Sequence, residues 1–337
     1  MRELWVDYAK AIGIILVVIG HMNRGLYNSG IYISKEFYLI TDSIIYTFHM
    51  PLFFFLSGLF FTHSLRYGKA WFIKNKIKTI LYPYIVWSVI QGVVEVAISQ
   101  HTNAKTSLSS VLAFPYYPRA QFWFLYALFM ILILSCVIYK KKSFVRSLPL
   151  LIAISIFLYS FSHELGTFAH LDFITKNIVY FFLGCYLTTA IEYLNKIKPK
   201  HITMTHLFIA LTLLFSFLQY KFHFIDKKLY YQVGFYSLIL ASVSILWISL
   251  LSYTLSRFSI KSLKLIGELS MVIYLLHILA SSGTRIVLSK ILNINDWHIN
   301  MLAGTFLGVF LPMLYYFISK RTKLMILLEW PTAKVKA

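Results

Sequence analysis

The feature that constrains this chain most is a succession of long apolar runs. FYSLILASVSILWISLLSYTL and YTFHMPLFFFLSGLFF contain no Asp, Glu, Lys or Arg. About 20 apolar residues in a helix span the ~30 Å hydrocarbon layer of a bilayer. Only helices and closed barrels satisfy their backbone polar groups inside lipid. Ten runs can be delimited, at 4–24, 40–62, 79–99, 121–139, 147–162, 173–192, 203–222, 232–255, 268–289 and 298–319. The fifth is the shortest. The expected fold is therefore all-α, a polytopic transmembrane bundle of about ten helices. Its connections are too short for a soluble domain, so residues 1–337 are expected to form a single integral-membrane domain.

Composition agrees. Charged residues make up 13% of the 337, against about 25% in a typical soluble protein. That excludes an ordinary soluble enzyme, and 59% hydrophobic residues exclude a disordered chain. The net charge of +20 would suggest a nucleic-acid partner in a soluble protein. Beside transmembrane runs it reads as an orientation signal, with anionic lipid headgroups as neighbours and no nucleic acid. With the N-terminus inside, 21 of the 32 basic residues fall on inner connections and tails, and ten on the outer side. Lys10 lies within the first run. Both termini are thus expected in the cytoplasm. The first run contains Asp7 and Lys10, and no small-residue cleavage site follows it, so it is expected to stay rather than be removed as a signal. Cys136 and Cys185 sit in apolar stretches without metal-ligand spacing, so neither a disulfide framework nor a metal is expected.

Function must come from the polar groups that lipid makes expensive. A charge near the bilayer centre costs at least about 2.5–3.5 kcal/mol on insertion scales. The first run holds Asp7, Lys10 and His21. Eleven residues separate Lys10 from His21, roughly three turns and ~16 Å of rise, which leaves both on nearly one face. Asp7, three residues before Lys10, shares it. Asp7 and Lys10 alone read as a snorkelling ion pair, and His21 alone as a neutral interhelical hydrogen-bonding group. The second run adds His49, with Pro51 expected to distort the helix beside it. Ser57-Gly58 lets a backbone or a ligand approach closely. The ninth run adds Tyr274 and His277, and the third carries Glu95. Intramembrane histidines and acids point by default to proton chemistry or transport.

The connection RYGKAWFIKNKIKTILYPY carries Arg66, Lys69, Lys74, Lys76 and Lys78, followed by Pro83. It reads either as topology plus headgroup contact, or as a phosphate site for a bulky anionic cofactor.

At this point the residues resemble a known family. WVDYAKAIGIILVVIGH followed by FHMPLFFFLSGLFF is similar to acyltransferase family 3, in particular its fucose 4-O-acetylase-like branch. QFWFLYALF and GELSMVIYLLH follow in the family's order. The family's basic residue, gap and histidine correspond to Lys10 and His21, with lysine here where arginine is common. Its phenylalanine-rich Ser-Gly motif lies at Phe53–Phe55, Ser57 and Gly58. The resemblance implies a multi-pass bacterial plasma-membrane O-acetyltransferase. Its donor would be acetyl-CoA from the cytoplasm, and its acceptor a glycan or lipid-linked sugar of the cell envelope. Some members carry an extra soluble domain; this chain is expected to be a stand-alone form.

On that reading Arg66, Lys74, Lys76 and Lys78, with Ser57, hold the donor, whose pantetheine arm runs past Ile14 and Val18. His21 is the expected general base, because imidazole titrates near neutral pH, or else a nucleophile. Direct transfer is preferred. Lys10 and Asp7 orient the site, and His49 or His277 donates to the thioester oxygen. Trp123 walls the acyl pocket or anchors an interface; Tyr274 and Glu95 complete the candidate pocket. The alternative is a proton-coupled transporter or flippase without covalent chemistry. A purely structural membrane protein would tolerate apolar replacement of the polar stripe.

Overall fold

The computed structural model describes residues 3–97, 107–141, 143–162, 164, 170–197 and 201–331, with backbone only at 189–197 and 201–203. Among these residues every regular element is helical. The inner-face charges Arg2, Lys142, Lys198, Lys200, Lys334 and Lys336, together with Lys105 on the other side and the Lys196 side chain, lie outside the described residues.

In chain order the helices are α1 (Leu4–Asn28), α2 (Lys35–Tyr46), α3 (His49–Leu59), α4 (Phe61–Ser64), α5 (Lys69–Lys76), α6 (Tyr82–Ala97), α7 (Leu108–Leu112), α8 (Trp123–Ile138), α9 (Phe144–Ser160), α10 (Leu171–Thr175), α11 (Ile178–Ile197), α12 (His201–Tyr220), α13 (Phe235–Leu255), α14 (Lys261–Glu268), α15 (Ser270–Ile286) and α16 (Trp297–Ser319). Each of the ten expected runs falls on one or more of them. Eight segments are long and apolar enough to cross a membrane, and α9 is a shorter apolar helix. The chain is an all-α, multi-pass membrane bundle.

Two boundaries differ from the sequence reading, the first interrupted ahead of a proline and the second set by a glycine. The second run starts earlier, at Lys35, and is interrupted between Tyr46 and His49. Pro51 has no N–H for the carbonyl four residues back, and its ring crowds that carbonyl. That residue is Thr47, where the helix ends; Phe48 leaves helical geometry at φ −140°. His49 therefore opens a new helix. The third run also begins earlier: Gly68, at φ 91°, turns the chain into α5, and a π-helical turn over Ile77–Leu81 joins α5 to α6. Pro83 sits two residues beyond it. Lys74, Lys76 and Lys78 thus lie on a helix, not on the loop expected from sequence.

Helix α1 is the hub, packing against α2, α3, α13, α14, α15 and α16. Its Trp5, Val6, Ala9, Ile14, Val17 and Val18 are buried in the main core. Close crossings need glycine. A Cβ on Gly58 of α3 would overlap the Phe181 carbonyl oxygen of α11, and one on Gly184 would overlap the Phe55 carbonyl. Thr188 adds a 2.9 Å hydrogen bond to the Leu59 carbonyl at the same crossing. So Gly58, one half of the Ser-Gly motif, serves helix contact. Small residues of this kind let backbones meet where lipid supplies no hydrophobic drive for helix association.

Gly58→Ala is expected to lower stability by about 1–3 kcal/mol, the usual range for overpacking. Gly283→Ala, where a Cβ meets nothing within 4 Å, should change it by less than about 1 kcal/mol. Thermal unfolding of both variants in detergent checks this; equal unfolding temperatures would contradict the tight crossing.

Candidate active site

Two polar regions lie along α1. The first is a cavity of about 200 Å³ near its N-terminal end, lined by Lys10, Ser57, Lys76, Phe53, Phe61 and Leu132 among others. It brings together three residues the sequence had nominated. Ser57 Oγ donates to the Phe53 carbonyl at 2.8 Å. The helical spacing sorts the lysines: residues two apart lie on opposite faces. Lys76 lines the cavity, Lys74 is exposed, and Lys78 is half-buried away from it. Arg66 is exposed and stacks on Tyr67, 4.6 Å from the ring centroid. Asp7 is buried, with its backbone pressed against Gly267 of α14.

The second region surrounds His21, further along α1. The His21 and His277 rings are 5.1 Å apart, so α1 and α15 bring two nominated histidines together. His21 is half-buried, and no hydrogen bond reaches its ring nitrogens among the described residues. His277 and His49 are fully buried. His49 Nδ1 lies 2.7 Å from the Ile45 carbonyl, and His277 Nδ1 lies 2.8 Å from that of Tyr274. A carbonyl only accepts, so each Nδ1 carries hydrogen and donates. In the neutral ring Nε2 is then an acceptor. Both Nε2 atoms are buried without a partner among the described residues. This corrects one expectation: neutral His49 and His277 present lone pairs, not a donor for a thioester oxygen.

Tyr46, at the end of α2, links the histidines. Its ring is 6.3 Å from His21 and 4.4 Å from His49. The Arg24 guanidinium covers the ring at 3.3 Å from its centroid. Arg24 is itself held by a two-point pair with Asp42, at 2.7 and 2.8 Å, and donates to Tyr230 Oη at 2.9 Å. Ser43 Oγ accepts from the Tyr230 N–H at 2.7 Å and lies 2.8 Å from His223 Nε2.

The sequence reading missed Arg24, Asp42, Tyr46, Ser43, Tyr230 and His223. Part of that group had a signal. Arg24 lies three residues after His21 and Asp42 four before Tyr46, spacings that share a helix face. Tyr230 comes from a connection, where no periodicity could place it.

Other nominated residues stand further off. Glu95 pairs with Arg119 at 2.8 Å and accepts from Gln91 at 2.8 Å. Gln91 accepts from Gln121 at 2.6 Å. The Tyr274 hydroxyl donates to the Gln121 carbonyl, tying α15 to the start of α8. Trp123 packs on Phe173 at 5.0 Å and Phe54 at 6.4 Å, and its ring contacts do not include the histidines. No group of three or more His, Cys, Asp or Glu among the described residues is arranged to hold a metal.

The Asp42 side chain is 7% exposed and the Arg24 side chain 28%, so their pair is partly shielded from water. Asp42→Asn is expected to cost about 1–3 kcal/mol by leaving the guanidinium poorly matched. An unfolding temperature equal to the parent's would contradict this clamp.

A family profile described as an acyltransferase domain matches residues 3–317. Two curated relatives are called nodulation protein NolL. That of Sinorhizobium fredii is 29% identical over 129 residues, covering 37% of this chain and 34% of the relative. That of Mesorhizobium japonicum is 30% identical over 139 residues, covering 40% and 35%. The chain thus spans about a third of the length of the curated relatives it matches. No solved structure matches it. The profile spans nearly the whole bundle, including both polar regions of α1, and the chain belongs to the acyltransferase 3 family.

Proposed function

We propose that this membrane acyltransferase moves an acetyl group from cytoplasmic acetyl-CoA to a hydroxyl of a cell-envelope glycan or lipid-linked sugar, in a bacterial plasma membrane. The carrying observation is the layout of α1. Lys10 lines a cavity near one end, walled mainly by apolar side chains with two lysines and two serines, and half-buried His21 faces the buried His277 about three turns further on.

The cavity residues suit an anionic donor. Lys10 and Lys76 supply ammonium groups, and Ser57 a hydroxyl, at a site walled by phenylalanines. Ammonium groups bind phosphate as point charges, and apolar walls suit an alkyl amide arm. Lys74, Lys78 and Arg66 do not line the cavity and contribute a basic surface nearby that attracts the donor's phosphates at longer range. The resting volume admits a slender arm rather than a nucleotide, so the nucleotide stays at the rim.

His21 is the base. It is the one histidine of the cluster that is partly accessible. A neutral imidazole accepts the acceptor's hydroxyl proton as oxygen attacks the thioester carbon, and returns it to the departing thiolate. His277 and His49 offer further acceptor nitrogens that orient the hydroxyl.

Replacing His21 by Ala is expected to reduce acetyl transfer by about 10²–10⁴-fold, the span of general base catalysis. Membrane insertion and acetyl-CoA binding should be retained. Normal O-acetylation of glycan by this variant, read by mass spectrometry, would end the assignment. For the donor site, Lys76→Gln should weaken acetyl-CoA binding by tenfold or more, as expected for loss of a charged hydrogen bond of about 1.5–3 kcal/mol. Lys74→Gln should weaken it less than about threefold, because exposed charges contribute under about 1 kcal/mol. Equal effects in a binding titration would contradict the cavity as the donor site.

A further inference from the structure

We propose that the Tyr46 hydroxyl is the hydrogen-bond donor that stabilises the thioester oxygen during transfer, a role that rests on the acyltransferase reading above. Three buried polar atoms around His21 have no partner among the described residues: Tyr46 Oη, His49 Nε2 and His277 Nε2. Native structures leave few such atoms, and each calls for an explanation. The two nitrogens are acceptors in the neutral rings, because their Nδ1 hydrogens go to backbone carbonyls. Tyr46 Oη alone of the three carries a hydrogen.

Neighbouring hydroxyls are already committed. Tyr274 donates to the Gln121 carbonyl, Thr47 to that of Ile44 at 2.7 Å, and Ser281 to that of His277 at 2.5 Å. Alcoholysis of a thioester needs one acceptor, for the alcohol proton, and one donor, for the carbonyl oxygen as it gains charge. Among the described residues the cluster provides acceptors in excess and, in Tyr46 Oη, a buried donor without a partner; the Tyr230 hydroxyl accepts from Arg24 and is held by it.

The phenol is held in place before any substrate arrives. Gly20, next to His21, leaves the space that the ring occupies: an added Cβ would come 2.9 Å from Cε2 and 3.7 Å from Cζ. Arg24 lies on the ring face, and His49 meets it edge-on. A cation on the face draws electron density from the ring and strengthens the O–H as a donor. With the ring 6.3 Å from that of His21, one carbonyl group can reach both residues.

The step balances without a further reagent. The acceptor hydroxyl gives its proton to His21, and its oxygen bonds to the carbonyl carbon. The carbon–sulfur bond breaks, and the thiolate takes the proton back from the imidazolium. The carbonyl oxygen gains and then loses negative charge. Tyr46 donates a hydrogen bond to it throughout and keeps its own proton.

The test is steady-state transfer from acetyl-CoA to glycan by purified protein in liposomes. Tyr46→Phe keeps the ring between Gly20, Arg24 and His49. It is expected to lower kcat by about 10²–10³-fold, the loss seen on removing one oxyanion donor, with the KM for acetyl-CoA within about threefold. A kcat equal to the parent's overturns the proposal. Two isosteres guard against misfolding. At position 46, 4-aminophenylalanine retains a donor and should exceed 4-methylphenylalanine in kcat by about tenfold or more; equal rates overturn the proposal. An inactive parent protein overturns both this inference and the acyltransferase reading, whereas an active parent with a fully active Tyr46→Phe variant overturns this inference alone.

Discussion

Lipid returns nothing to a polar group that loses water, and that constraint shapes the surroundings of His21. Arg24 is the clearest case. Its charge is answered by both oxygens of Asp42, by the Tyr230 hydroxyl and by the face of Tyr46. These contacts join α1, α2 and the connection before α13. Unpaired, a guanidinium this shielded from water would be costly; paired, it fixes the phenol beside His21. Among the described residues, Tyr46 Oη and two histidine nitrogens are buried without partners beside that satisfied charge.

Helix α1 carries both regions. Lys10 lines the mainly apolar cavity near one end, and His21 meets His277 and Tyr46 further along. Between them the buried Ile14 and Val18 give an apolar stretch. Both are packed into the core and neither lines the cavity, so the expected run of a pantetheine arm past Ile14 and Val18 finds no open channel there. The interruption before Pro51 matters to the histidine region. A continuous second helix would give its carbonyls to its own backbone; the break lets α3 restart at His49, with its ring tied to Ile45 of α2.

Much of the fold was legible from hydropathy, because a spanning helix has one length and one composition. The departures have local causes: proline at 51 ends α2 four residues upstream, and glycine at 68 starts α5 before the apolar run. The site was legible where chemistry and periodicity coincide. Lys10, His21, His49 and His277 were all named from sequence, and the structure joins three of them through Tyr46 or direct contact. Ser57, Lys76 and Lys10 likewise share one cavity. Arg66 and Lys74 were grouped with Lys76 by proximity in sequence, and a helix separates what a loop would have gathered. Glu95 was nominated as an acid in an apolar run, but its partner Arg119 arrives from a different connection. Tyr46 escaped notice because a tyrosine in a span is ordinary until its hydroxyl is found buried and alone.

The account stands on covalent transfer rather than passage of an unmodified glycan. The direct measurement uses protein reconstituted in liposomes with acetyl-CoA carrying a labelled acetyl group and a lipid-linked glycan. The account predicts label in the glycan, matched one-for-one by free CoA and dependent on His21. Glycan that crosses the bilayer with no label incorporated and no CoA released would contradict it.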